Sequence, residues 1–163
     1  MLHEIGAHYT YSGVPYDRWW QELFGTTMHE LLGWQRNQFD RLVHFTYGLT
    51  ITLPAFELIS ARMAPRGAWR YVLAATFMMS HSLIYELIEW GAAILFGGEL
   101  GTAYLGTQGD AWDAQKDMAL AALGTSVTTV SIAMHEWQLN AGDSASASAV
   151  PSPPSGCPPV RRW

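Results

Sequence analysis

Cysteine is nearly missing from this 163-residue sequence, and its one copy, Cys157, lies close to the C-terminus. That excludes a disulfide framework and any zinc site built on thiolates. Charge is scarce as well: Asp, Glu, Lys and Arg make up 14% of the residues, and the net charge is −5. An acidic chain so poor in Lys and Arg has no electrostatic footprint for nucleic acid. It has no G-x-G-x-x-G, P-loop or H-E-x-x-H pattern, so nucleotide and zincin chemistry have no motif to rest on. The opening MLHEIGAHYTY shows neither the basic start nor the apolar run of a secretory signal. Clean apolar runs of about twenty residues, the usual mark of a membrane helix, are lacking too. Polar ends dilute the apolar middle, so the chain has to be read segment by segment.

What is present points to a bilayer. Hydrophobic residues make up 49% of the chain, and eight of the residues are Trp, a side chain enriched where membrane meets water. Three segments reach membrane length: 40–63, 69–97 and about 114–137. The first carries His44, Pro54 and Glu57. The second, at 1.5 Å per residue, is roughly 43 Å long, more than a hydrocarbon core of about 30 Å. The third has no charge between Met118 and Met134. Its β-branched run TSVTTVSI reads as helix from its flanks, since Ser and Thr are tolerated in membrane helices. Ahead of these segments, residues 15–34 read as one or two amphipathic helices, with Pro15 as a start signal and Trp19, Trp20, Leu23 and Phe24 on one face. The expectation is an all-α, multi-pass transmembrane bundle of about three membrane helices, its main partner the lipid bilayer. It divides into an N-terminal amphipathic region (1–37), a transmembrane domain (38–138) and a Pro/Ser-rich disordered tail (139–163).

Arg62, Arg66 and Arg70 gather around the turn from the first segment to the second, with no acid between Glu57 and Glu86. The positive-inside rule assigns that turn to the cytoplasm. Asp40 and His44 then lie at the outer end of the first segment. Glu86 and Glu89, roughly 24 and 28 Å along from Arg70, lie in the outer half of the second. Asp110, Asp113 and Asp117 open the third. Within each cluster the spacing is helical: Asn37, Asp40, His44 and Tyr47; Ser82, Glu86 and Glu89; Asp110, Asp113 and Asp117. Ionisable groups in an apolar layer usually face the bundle interior. Bare carboxylates repel, so such a cluster needs protons, basic partners or a cation. Arg36, Arg41 and Lys116 are the candidate basic partners. Read one at a time, these groups have plain structural roles: His44 as a hydrogen-bonded core residue, Asp110 and Asp113 as helix-start acids. Those roles leave Asp117, Glu86 and Glu89 unexplained.

The phrases LHEIGAHYTYSGVPYDRW, RNQFDRLVHFTYGL and YELIEWGAAILFGGELGTAYLGTQGDAWDAQKDMALAALG closely resemble the bacterial YjdF-type inner-membrane proteins, a domain family of unknown function. The resemblance covers about residues 2–130 and implies a multi-pass helical protein of the bacterial inner membrane. It also implies further apolar helices ahead of LHEIGAHYTY, so the chain is expected to be a fragment or to begin at a misplaced start. A fainter resemblance reaches the VanZ-like membrane proteins, which are linked to glycopeptide resistance. They match here at Asp40, Arg41, His44 and Phe45, at Glu86, and at Asp113 with Gly124. Glu89 and Asp117 stand where those proteins carry amides, which makes this cluster more negative.

Two classes of function fit. In the first, His44, Glu86, Glu89, Asp113 and Asp117, with His3, His8, Asp40 and Asp110 nearby, hold a divalent metal. Mixed imidazole and carboxylate donors suit Zn, Fe or Mn, and such an ion can activate water. In the second, the protein is not an enzyme. It is then a proton-coupled carrier, which with so few helices would need to oligomerise, or a network that only holds the helices together.

Overall fold

The structure is a computed structural model that describes residues 1–98, 101 and 107–148, with side chains as far as residue 142. Among the described residues there are six helices and no strand: α1 (Leu2–His8), α2 (Tyr16–Phe24), α3 (Met28–Leu32), α4 (Phe39–Met63), α5 (Trp69–Phe96) and α6 (Asp113–Ser148). The all-α expectation holds. Three helices are long and apolar enough to cross a membrane: Phe39–Met63, Trp69–Phe96 and Asp113–Gly142. The run TSVTTVSI lies inside α6 as helix. Residues Met1–Thr129 form one compact unit and Val130–Trp163 a second. In the second, helical backbone continues through Ser148, ten residues into the stretch read as a tail from 139. AGDSASAS holds no proline, and the first helix breaker of that kind is Pro151. The expected disorder of residues 149–163 falls outside the described residues.

Local chemistry explains the short helices. Glycine in the left-handed region ends α2 at Gly25 (φ 78°) and α3 at Gly33 (φ 66°). A capping box opens α3: the Thr27 side chain accepts from the Glu30 N–H, and the Glu30 carboxylate accepts from the Thr27 N–H. Asp17 of α2 also accepts from the Met28 N–H at 2.6 Å, which ties the two helices together. The N-terminal region is pinned to the start of α4. Asn37 Nδ2 donates to the Val14 carbonyl at 2.8 Å, and the Gln38 N–H donates to the Tyr16 hydroxyl at 3.1 Å. Beneath these bonds Tyr11, Val14, Phe39 and Val43 form a buried cluster, with Leu2, Ile5 and Tyr16 packed against it.

The long helices meet through small residues. A Cβ on Gly48 of α4 would lie 2.1 Å from the Ala121 carbonyl oxygen, and one on Gly124 of α6 would lie 2.3 Å from the Phe45 carbonyl oxygen. The two backbones therefore touch, the close approach that small residues permit between membrane helices. Polar bonds of the hydroxyl type flank the contact. Thr52 donates to the Gly48 carbonyl at 2.6 Å and its hydroxyl meets the Thr125 hydroxyl at 3.2 Å, and Thr128 donates to the Leu49 carbonyl at 2.6 Å. On the outside, Leu49, Ile51 and Leu53 of α4 and Leu83, Ile84, Leu87 and Ile88 of α5 are exposed. An apolar surface of that extent belongs in lipid.

The crossing makes a direct prediction. Gly48→Ala should destabilise the bundle by about 1–3 kcal/mol, the range for overpacking a tight contact. Gly91→Ala, where a Cβ meets nothing within 4 Å, should be neutral or stabilise by up to about 1 kcal/mol through helix propensity. Unfolding in mixed micelles reads both. Equal behaviour of the two variants would mean that the backbones do not touch.

Candidate functional site

The site stands at one end of the bundle, where α4 and α6 begin and α5 nears its end. Asp40 and His44 are one turn apart on α4, so both side chains point the same way. Glu86 and Glu89 share a face of α5 in the same manner. Asp113 and Asp117 occupy the first turns of α6. All six are buried, and they separate into two electrostatic classes.

The first class is fully paired. Arg36 Nη1 lies 2.7 Å from Asp113 and 3.4 Å from Asp110. Arg41 Nη2 lies 2.7 Å from Asp110 and 3.3 Å from Asp113. Lys116 Nζ pairs with Asp110 as well. The basic partners expected from the sequence are thus all engaged with two of the aspartates. Asp110 does not share a helical stripe with Asp113 and Asp117, because α6 starts only at Asp113. Gln108 (φ 46°) and Gly109 (φ 87°) turn the chain there. In that turn Asp110 accepts from the Trp112 N–H at 3.1 Å. It works as a lid over the helix start, not as a member of the inner cluster.

The second class forms no direct ion pair with Arg or Lys among the described residues. One ligand atom each from Asp40, His44 and Asp117 lie within 4.8 Å of one another, which among the described residues makes them the one group able to share a metal ion. His44 Nε2 is 3.4 Å from Glu86 Oε1 and 3.7 Å from Asp40 Oδ1. Asp40 Oδ1, His44 Nε2, Glu86 Oε1 and Asp117 Oδ1 are each buried and hydrogen-bond to nothing among the described residues. A buried polar atom left unpaired is costly and uncommon in native proteins. Four of them converging is an arrangement that a cation would satisfy.

Beside this cluster runs a second set of polar groups. His3 and His8 are both exposed. His8 packs edge-on against Tyr9, with ring centroids 4.7 Å apart, and the structure does not bring it into the cluster. His3 approaches it indirectly. Its Nδ1 hydrogen-bonds the Tyr11 hydroxyl at 3.0 Å, and that hydroxyl meets the Tyr85 hydroxyl at 3.2 Å. Tyr85 stands one turn before Glu89 on α5. Tyr11 reaches this place because Thr10 and Tyr11 both adopt left-handed backbone angles (φ 54° and 50°), a conformation costing about 1–3 kcal/mol for such residues. A cavity of about 40 Å³ adjoins His44 and is lined by His3, Tyr47, His81, Ser82 and Tyr85, room enough for ordered water. Tyr85 and His81 do not stand out in the sequence. The clue was only that Tyr85 precedes Glu86 in YELIEW.

With this geometry established, comparison with known proteins gives two findings. The family described as "Predicted membrane protein (DUF2238)" matches residues 1–138. The chain is also 39% identical over 130 residues to "Inner membrane protein YjdF" of Escherichia coli (strain K12), an alignment covering 79% of this chain and 58% of that protein. The chain therefore spans little more than half the length of this relative. No solved structure matches it.

Outside the spans, the lid makes a pH prediction. The Lys116 hydrogen bond first, and then the Trp112 N–H and Arg41, hold the Asp110 carboxyl down at about 2, against a small opposing effect of burial. Because the folded value is depressed, the stabilisation is present above the ordinary value of 3.8 and is lost as pH falls through about 2. Lys116→Met should shift that acid-side loss to higher pH, towards 3.8, in acid-unfolding curves in detergent. Superimposable curves would show that the pair contributes nothing.

Proposed function

The chain belongs to the DUF2238 family of predicted membrane proteins, and from that premise we propose that it is an inner-membrane metalloprotein whose Asp40, His44, Glu86 and Asp117 hold one divalent cation. The reading is supported by Asp40, His44 and Asp117, whose donor atoms lie within 4.8 Å of one another, and by Glu86 Oε1 at 3.4 Å from His44 Nε2, each residue carrying a buried atom with no hydrogen-bond partner among the described residues. Arg36, Arg41 and Lys116 pair directly with Asp110 and Asp113, so Arg36 and Arg41 act on Asp40 and Asp117 only through space. One imidazole with several carboxylates is a donor set for Zn, Fe or Mn. Glu89, buried one turn along α5 from Glu86, would support the ligands from behind. A cation at this place would polarise a bound water or a substrate oxygen, the basis of metal-assisted hydrolysis. The cavity next to His44 offers space for that oxygen. With the Arg62–Arg70 turn in the cytoplasm, the site faces the outer side of the membrane.

One observation favours a second reading. His3, Tyr11 and Tyr85 form a hydrogen-bonded chain from an exposed imidazole to a phenol one turn before the buried Glu89. Such a chain suits proton transfer without any metal, as in a proton-coupled carrier.

Metal content decides between the two. Wild type, His44→Ala and Asp117→Asn are purified in detergent without chelator, and folding is verified by size exclusion and circular dichroism. About one ion per wild-type chain is expected, with affinity reduced at least about 10-fold in each variant. Metal-free folded wild type would end the metalloprotein reading, and pH-driven proton flux in proteoliposomes would then test the second.

A further inference from the structure

On the face of α4 turned away from Asp40 and His44 there is a groove of about 340 Å³ between α2, α3 and the first turn of α4. Trp19, Trp20, Leu23, Met28, Phe39 and Leu42 are among its walls. Its size falls in the range of small-molecule sites, and its lining is almost entirely apolar. Tyr16 and Gln38 also line it, but the Tyr16 hydroxyl accepts from the Gln38 N–H and Gln38 Oε1 accepts from Arg41, whereas the Trp20 Nε1–H is buried and meets no acceptor among the described residues. A buried indole N–H normally finds a partner. An occupant that answers both features is apolar along most of its length and carries an acceptor at one point.

The groove is continuous with the lipid-facing side of the bundle. Leu42, Leu49 and Leu53 follow one another at seven- and four-residue steps, so they lie on one stripe of α4. They are 50%, 37% and 45% exposed. The stripe runs from the groove down the first membrane span. Across the groove from Leu42 lies α2, whose Leu23 and Phe24 are also exposed and whose opposite side carries the Arg18–Glu22 ion pair at 3.2 Å. An amphipathic helix of this kind, rich in Trp, lies in the interfacial layer. There the ester carbonyls of lipids meet their acyl chains.

We propose that the groove is a binding site for one acyl chain of a bilayer phospholipid, its ester carbonyl accepting from the Trp20 Nε1–H and its tail running along Phe39 and Leu42 onto the α4 stripe. The lipid thereby fastens the interfacial helices α2 and α3 to the first span. A water-soluble ligand would leave its own polar groups unpaired against these walls, and a plain hydrocarbon would leave the indole N–H without an acceptor.

The test uses the whole chain in phosphatidylcholine vesicles containing a phosphatidylcholine with a diazirine on one acyl chain. After photolysis, adducts are mapped by peptide mass spectrometry. Labelling at residues 19–28 should exceed labelling of the lipid-facing stretch 83–88 of α5, which serves as the measure of bulk lipid contact. Trp20→Phe keeps the ring and removes the donor, and should lower groove labelling about fivefold, the factor of one hydrogen bond. Met28→Trp fills the groove and should bring labelling down to the level of α5. Groove labelling equal to that of α5 in wild type, or unchanged in both variants, overturns the proposal. Cross-links from the groove to a second chain in place of lipid adducts overturn it as well. Metal content measured on the same preparations stays at the wild-type level in these variants, so the lipid site and the metal site fail independently.

Discussion

The close crossing of α4 and α6 at Gly48 and Gly124 sets the position of everything else at this end of the molecule. With the backbones in contact there, the preceding turns of the two helices are held side by side. His44 is one turn before Gly48, and Asp40 is two. Asp117 is two turns before Gly124. Ligand atoms on separate helices thus come within 4.8 Å of one another, a distance a bulkier crossing would not permit. In lipid the hydrophobic effect does not drive helices together, so close packing and interhelical hydrogen bonds carry the association. The bonds of Thr52 to Thr125 and of Thr128 to Leu49 supply the second of these.

Charge is distributed by depth. Arg36, Arg41 and Lys116 gather at Asp110 and Asp113, at the rim of the bundle, where long side chains can still reach water. One turn further in, the acids outnumber any cation. An arginine there would itself need desolvation and pairing, whereas a small divalent ion can be surrounded by the oxygens and the imidazole already present. The rim also fixes the start of α6. By holding Asp110 and Asp113, the two arginines determine which turn of α6 Asp117 occupies, so the ion-pair lattice positions the inner cluster without belonging to it.

The sequence revealed the spans well, for a physical reason. Backbone in lipid must satisfy its own hydrogen bonds, so long apolar segments have helix as their form, and α4, α5 and α6 start within a residue of where the pattern changes. Spacing within a helix was equally readable: Asp40 with His44, and Glu86 with Glu89, do share faces. The partners across helices were not readable. Gly48 and Gly124 are ordinary letters in FTYGL and ALGTS until the two helices are set side by side. Asp110 illustrates the limit of periodicity, since its spacing suits a helix that the Gln108–Gly109 turn has not yet allowed to begin. The chain from His3 through Tyr11 to Tyr85 depends on left-handed angles at Thr10 and Tyr11, and neither residue type announces such angles. A helical continuation as far as Ser148 was hidden for the opposite reason. Composition marked AGDSASAS as tail-like, yet nothing in it breaks a helix.

The first span carries two kinds of chemistry on its two sides. Asp40 and His44 look inward to the carboxylates of α5 and α6. Phe39 and Leu42, only one and two residues away from them, look outward into the apolar groove beneath α2 and α3. The N-terminal helices could not shift across that groove without moving Val14 and Tyr16, which hydrogen-bond Asn37 and Gln38 at the very start of α4. They also could not shift without moving Tyr11, which touches Tyr85 one residue from Glu86. Whatever fixes the interfacial helices therefore also fixes the entrance to the polar cluster. The coupling runs through backbone groups, the Asn37 amide and tyrosine hydroxyls, so the apolar and polar faces of α4 can each be altered without removing a side chain from the other.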